Sequence, residues 1–306
     1  MNAIFLSQLC PGDLLVMGTA LRALVKATGW RVAARCRYPE IFEHLPFLSA
    51  LNSDEALTYE IGYHDAVQQS NISRRHFASG YLRHINRLFS LDVALDDLRP
   101  PIQLVESDFR VARELKRPYW VLMAGGKRCF VTKWWDPTNY QRVVNMTRDR
   151  WSWVQMGASE HVHFPLNHTV NLIDQTTLRE SFGVLALAEG VLCPVTYTMH
   201  AAAALNKPCV VVAGGREPFW WEAYTEDTWR YNINSAPPAD FVPHRYIHSI
   251  GAMTCSLVGG CWRTQLKSGD PSKVCLNVVK GPLIDQAECL GRISPEQVVE
   301  EIDFYK

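Results

Sequence analysis

Residues 200–218 read HAAAALNKPCVVVAGGREP. A run of small helix formers ends at Lys207-Pro208. A continuous apolar run, Cys209 to Ala213, follows and stops at Gly214-Gly215. An apolar run this short, bounded by a proline and two glycines, reads as a strand buried on both faces, the kind found in parallel sheets. The same grammar recurs upstream. Residues 119–124 (YWVLMA) end at Gly125-Gly126-Lys127, residues 153–156 end at Gly157, and residues 190–193 lead into the helix of 200–205. Helices fit between these strands. Asp136-Pro137 is an N-cap followed by proline at N1, opening a helix that carries Tyr140 and Val144. Thr177 and Glu180 form a capping box, with Leu178, Phe182 and Leu185 on the buried side. Alternation of this kind predicts an α/β fold with a parallel sheet.

The N-terminal part repeats the pattern. Residues 3–7 form a strand, Pro11-Gly12-Asp13 a turn, and Leu14, Met17, Leu21, Leu24 and Thr28 recur at helical spacing. Residues 30–36 read as a second strand and 39–45 as a short helix. Phe77, Tyr81, Ile85 and Leu88 mark the inner face of another helix. Periodicity fades over residues 91–103 (LDVALDDLRPPIQ), which we read as a linker between two domains, 1–103 and 104–306. Beyond Tyr231 the sequence is irregular. It contains a cysteine-rich segment, 250–292, and closes with a helix over 295–305, announced by Ser294-Pro295-Glu296-Gln297 and carrying Val298, Val299 and Ile302. Two α/β halves leave a cleft between them, and ligands of open parallel sheets bind beyond the carboxyl ends of the strands.

The 306 residues are 47% hydrophobic and 20% charged with zero formal net charge, a globular composition. That balance weighs against a nucleic-acid partner, though it leaves modification of nucleic-acid bases open. No apolar run is long enough for a transmembrane segment, and the opening MNAIFLSQLCPGD lacks a basic region and a full apolar segment; a cytoplasmic location is expected. There is no internal repeat and no low-complexity tract.

The turns carry the chemistry. Glycines in Gly125-Gly126-Lys127 and Gly214-Gly215-Arg216 let backbone N–H groups approach a phosphate, and the cations neutralise it. Either Gly-Gly alone reads first as a tight βα turn; two with cations in one half point to a diphosphate site. Lys133, before Trp134-Trp135, adds a cation. Glu217 offers a carboxylate to ribose hydroxyls, or is a solvated surface group. The alanines after His200 allow close packing on the sheet, or bring a helix N-terminus to a nucleotide. Asp13 is either a helix N-cap or a carboxylate placed to take a proton from an attacking hydroxyl, and spacing alone does not separate these.

Nine cysteines are present, an odd number, which argues against a disulfide framework. Cys10, Cys36, Cys129, Cys193 and Cys209 read as small buried hydrophobes. Cys255, Cys261, Cys275 and Cys289 are spaced C-x5-C-x13-C-x13-C in a glycine-rich segment. Four thiolates suit a structural zinc or iron, with His244 and His248 as substitute ligands, and a metal would help fix a segment with little core of its own.

On these motifs the chain resembles glycosyltransferase family 9, the ADP-heptose–lipopolysaccharide heptosyltransferases and their relatives, over most of its length. The resemblance rests on Gly12-Asp13 with the helix LLVMGTALRALVKA, on Lys133-Trp134 entering a helix, and on Met199-His200-Ala201-Ala202-Ala203 before a Pro-Val strand and a glycine-rich turn. It implies a GT-B architecture of two facing Rossmann-like domains, the N-terminal half holding the acceptor and the C-terminal half the nucleotide sugar. It also implies inverting transfer with no cofactor for catalysis. Asp13 then corresponds to the general base, Lys133 to a cation near the diphosphate, and Thr196, Met199, His200 and Ala201 to the donor pocket. Val195, Thr196 and Tyr197 stand where the family commonly has Asp-x-Gly, and Gly-Gly-Arg-Glu-Pro replaces its usual Gly-Pro-Thr turn. The late cysteines are similar to those of the protein-modifying heptosyltransferases of autotransporters, which carry a cysteine-bound iron.

The sequence thus predicts an inverting glycosyltransferase moving a sugar from a nucleotide-diphosphate donor, ADP-heptose-like, to a glycan, protein or small-molecule hydroxyl. A nucleotide-sugar epimerase on the same architecture and a non-catalytic sugar- or nucleotide-binding protein are the alternatives.

Overall fold

The computed structural model describes residues 1–267 and 269–306; Ser268, inside the segment 250–292, lies outside the described residues. The chain opens with β1 (Asn2–Ser7), α1 (Pro11–Thr28), β2 (Arg31–Cys36), β3 (Leu57–Glu60), α2 (Asp65–Ile72) and α3 (Phe77–Phe89). After residues 91–105, which hold no helix or strand, come β4 (Tyr119–Leu122), β5 (Gly125–Gly126), α4 (Pro137–Thr147), β6 (Ser152–Gly157), β7 (Val162–His163) and β8 (Thr169–Ile173). Then follow α5 (Leu178–Leu187), β9 (Gly190–Pro194), α6 (Tyr197–Ala204), β10 (Cys209–Gly214), α7 (Phe219–Glu222) and α8 (Glu226–Asn232). The chain closes with β11 (Arg245–His248), β12 (Val278–Lys280), β13 (Asp285–Ala287), α9 (Glu288–Gly291) and α10 (Pro295–Asp303).

Two sheets organise these elements. A three-stranded parallel sheet runs β2-β1-β3, and a six-stranded parallel sheet runs β11-β10-β9-β4-β6-β8. One apolar core joins the first sheet and α1 and α3 to α5, α6 and one face of the second sheet, through residues such as Phe5, Leu21, Tyr81, Phe182, Met199 and Val211. A second core covers the other face with Trp120, Trp135, Tyr140, Trp153, Val298 and Ile302. Alternate residues of the central strands feed opposite cores: Val211 enters the first, Val210 and Val212 the second.

The capping signals act as read. The Thr177 hydroxyl accepts from the Glu180 amide, and Ser294 accepts from Gln297. Asp136 Oδ1 accepts from the Thr138 amide at 2.8 Å, while Oδ2 accepts from Leu283 and Ile284, tying α4 to the β12-β13 hairpin. Burial alone would raise this carboxyl, but the amides of Ile284, Leu283 and Thr138 and the Thr138 hydroxyl outweigh it and hold it below the usual range.

Several expectations need correction. The helix over 39–45 is a single 3-10 turn, Pro39–Ile41, because His44 takes a left-handed φ of 65° and Pro46 disfavours helix at the residue before it. Leu88 faces solvent at 46% exposure; Leu82 fills the inner face of α3 instead. Cys129 is exposed and Cys10 is the N-cap of α1, so neither is a buried hydrophobe. The irregular region beyond Tyr231 supplies β11, the edge of the large sheet. Among the described residues, no helix is long and apolar enough to cross a membrane.

Candidate functional site

The start of α1 approaches the start of α6. A Cβ on Gly12 would stand 3.0 Å from His200 Cδ2 and 3.2 Å from the Tyr197 backbone, so glycine is what lets these two helix ends meet. Asp13 is therefore not the N-cap. Cys10 is, with Pro11 at N1 and Asp13 at N3, where Oδ2 accepts from the Cys10 amide at 3.3 Å. The hydroxyl of Tyr63 donates to Oδ1. Each oxygen keeps a lone pair for another donor. Burial pushes the Asp13 carboxyl above its usual range, against the pull of the Tyr63 hydrogen bond, Lys133, the Cys10 amide and Lys127.

Beyond β4 the chain runs Gly125-Gly126-Lys127 into a 3-10 segment, Arg128–Lys133. The two glycines are not an open turn. They pair as β5 with Val162 and His163 of β7, and Gly125, at φ 127°, has no room for a Cβ against the Val162 carbonyl. Lys127 reaches back to the start of α1, its Nζ 2.5 Å from Cys10 Sγ. Lys133 Nζ donates to the Val195 carbonyl at 3.4 Å and lies 2.6 Å from Glu217 Oε1. Burial and the neighbouring Arg216 lower its ammonium to about 8.

The GGREP turn is held from behind by the cysteine segment. The carbonyls of Gly214, Gly215 and Arg216 accept from the amides of Ser249, Cys261 and Trp262. The Gly215 amide donates to the Cys289 thiol, and burial outweighs that bond to raise the thiol to about 11. Gly214 sits at φ 67°, with Leu290 and Cys289 where a side chain would be. These backbone groups face the cysteines, whereas the sequence reading aims them at a phosphate. The two side chains part: Arg216 stays against the cysteine segment, while Glu217 reaches Lys133. Arg216 is 6% and Glu217 1% exposed, so neither is a solvated tip. Arg216 pairs with Glu217 and donates from Nε to the Arg263 carbonyl at 2.8 Å. It also lies over the rings of Phe130 and Trp262, at 4.9 and 5.7 Å.

Cys255, Cys261, Cys275 and Cys289 line one cavity of about 10 Å³ together with Gly215, Arg216 and Arg263; His244 and His248 do not line it. As placed, no group of three or more His, Cys, Asp or Glu among the described residues is set to hold a metal ion.

Thr196, the N-cap of α6, and Thr198 both contact Met123 Sδ, while Met199 and Ala201 are core residues. His200 donates to or accepts from Tyr224 at 2.8 Å, and burial lowers its imidazole far below the usual range. Around the cations stand residues that the sequence reading passed over. Glu222 on α7 is buried and raised by that burial, with Lys133 and Arg216 opposing. Trp221 stacks on Tyr63 with centroids 6.2 Å apart and donates to Ser70 at 2.9 Å. Their one sequence signal is FWWE, an aromatic-acidic cluster immediately after GGREP. The arrangement brings a partly buried carboxylate, Asp13, within the electrostatic reach of Lys127 and Lys133, at the ends of strands from two parallel sheets.

The family model of glycosyltransferase family 9 (heptosyltransferase) matches residues 55–240. No curated protein matches the chain in sequence. Among solved structures, the glycosyl transferase family 9 protein from Veillonella parvula DSM 2008 superposes with a TM-score of 0.63 at 13% identity, over 99% of this chain and 96% of that one. The Escherichia coli ADP-heptose lipopolysaccharide heptosyltransferase II gives 0.57 at 14%, over 100% and 98%. The iron-containing dodecameric glycosyltransferase TibC from enterotoxigenic Escherichia coli H10407 gives 0.63 at 16%, over 99% of this chain and 75% of that one. The α/β fold with its parallel sheets matches these GT-B-like heptosyltransferases.

Proposed function

Because the chain belongs to glycosyltransferase family 9, the heptosyltransferases, and is therefore a glycosyltransferase, we propose that it transfers a sugar from an ADP-linked donor to an acceptor hydroxyl with inversion. The observation that carries the reading is that Asp13, beyond the small sheet, lies within the electrostatic reach of Lys133, which shares the Glu217 carboxylate with Arg216 beyond the large one. Residues 1–103 form the acceptor-side domain and 104–306 the donor-side domain, with the reaction in the cleft between them.

The Asp13 carboxylate takes the proton of the acceptor hydroxyl. The acceptor oxygen attacks the anomeric carbon from the face opposite the diphosphate. The bond from that carbon to the phosphate oxygen breaks, and the electron pair leaves with the nucleoside diphosphate, so configuration inverts. A carboxyl raised by burial is a stronger base than an exposed one. Lys133 and Arg216 meet the charge that develops on the leaving diphosphate, in surroundings dry enough for the interaction to count. Thr196 and the start of α6 border the donor. Val195 and Tyr197 bring no carboxylate to the sugar, which supports a donor sugar held differently from the family's heptose. The acceptor is a glycan, a protein or a small molecule, and the reaction is expected in the cytoplasm.

The four cysteines are proposed to hold a structural zinc or iron. The donor set suits either, and a cavity of about 10 Å³ has the size of a single small occupant. The thiols would draw together around it, since no ready-made ligand group stands there. The metal supplies no chemistry to transfer. It would brace the segment to which the GGREP turn is hydrogen-bonded.

A thermal-shift panel of ADP, UDP, GDP and CDP tests the donor reading, since a ligand of the native state raises the melting temperature by mass action. Stabilisation by ADP above the others is expected; no response to any of them contradicts it.

A further inference from the structure

We infer that Glu217 is an internal counter-ion seated where the donor's diphosphate binds, so that donor binding has to displace it; this rests on the nucleotide-sugar reading above. A single oxygen, Oε1, is shared by Lys133 Nζ at 2.6 Å and the Arg216 guanidinium. An oxygen bridging a lysine and an arginine is the position that a phosphate oxygen takes between the same two cations. The other oxygen, Oε2, is buried and has no hydrogen-bond partner. A carboxylate stripped of water on that side without compensation is held at a cost, and a ligand able to satisfy both cations relieves it.

The surroundings make the exchange one anion for another. Phe130 lies under both cations, and Trp262 covers Arg216. Water therefore competes poorly for them, and an empty seat would leave buried positive charge unpaired. Glu222 acts on both cations through space and Asp13 on Lys133, but among the described residues Glu217 is the carboxylate in ion-pair contact with them. The cation and its counter-ion are consecutive on one turn, so a shift of that turn releases both together. The GGREP turn thus carries its own placeholder for the substrate.

The test is calorimetric titration of the full chain and its E217Q variant with ADP and, separately, with inorganic pyrophosphate. The glutamine keeps the shape and removes the competing charge. Tightening of both ligands by about tenfold or more in E217Q, abolished when Lys133→Met is added, is the expected result. Wild-type protein that binds ADP while E217Q binds it equally or more weakly overturns the inference. If pyrophosphate tightens but no nucleoside diphosphate binds either protein, the counter-ion stands and the nucleotide reading falls. Should E217Q fail to fold, E217D keeps the charge and withdraws it by one methylene. It should then bind pyrophosphate several-fold more tightly, and unchanged affinity counts against the inference.

Discussion

The hydroxyl of Tyr63 donates to Oδ1 of Asp13 while the ring of the same tyrosine stacks on Trp221. Trp221 belongs to α7, beyond the large sheet, and Asp13 to α1, beyond the small one. A residue following β3 is thus clamped from the large-sheet side and in turn fixes the carboxylate that we assign as base. The Tyr63 hydrogen bond helps hold the Asp13 carboxyl down against burial.

Tyr63→Phe keeps the stack and removes the donor. The Asp13 carboxyl then rises further, and the acid limb of the turnover-against-pH profile moves to higher pH, with a loss of rate at neutral pH. An unshifted limb would separate Tyr63 from the base.

Lys133 gives a pH dependence with a definite sign. Its folded-state value of about 8 lies below that of an unfolded lysine, roughly 10.4. Between these values the unfolded chain holds the extra proton, so this group makes stability rise as pH increases through that window. Binding behaves the opposite way, because the neutral amine no longer attracts a diphosphate. Affinity for ADP should be flat below about pH 8 and weaken above it, while Lys133→Met is weak throughout. Calorimetry across a range from about one unit below the Lys133 value to about one and a half units above it reads this.

Asp136→Ala leaves the amides of Leu283 and Ile284 without their acceptor and uncaps α4. A loss of about 3 kcal/mol is expected from denaturant unfolding at pH 7. The carboxyl sits below its unfolded value, so its contribution is full above roughly pH 4 and is lost as pH falls through the folded value. The wild-type advantage should shrink in acid.

Metal content of the purified protein checks the cysteine quartet. About one equivalent of zinc or iron per chain, removed by a chelator with a drop in melting temperature, is expected. Less than half an equivalent together with freely titratable thiols would refute the site.

Legibility followed burial. Strands fed from both faces, such as β4, β9 and β10, announce themselves as apolar runs, and caps at Asp136, Thr177 and Ser294 fix helix starts. The edge strands do not: in β8 (TVNLI) one residue of five is buried, and in β11 (RYIH) one of four. Periodicity has little to report there. At the site, the order of Gly12-Asp13, Lys133 and Met199-His200 along the chain was enough to point to the family. What sequence order hides is pairing across distance. Nothing in GGREP says that its backbone faces Cys261 and Cys289 while Glu217 meets Lys133, nor that Tyr63 and Glu222 join from elements with weak signals of their own.

The most direct test is release of ADP from ADP-linked heptose in the presence of mixed glycan and protein acceptors, by wild type and Asp13→Ala. Turnover should fall roughly 10²- to 10⁴-fold with affinity for ADP retained, the pattern of a lost general base. Full turnover by Asp13→Ala would contradict it.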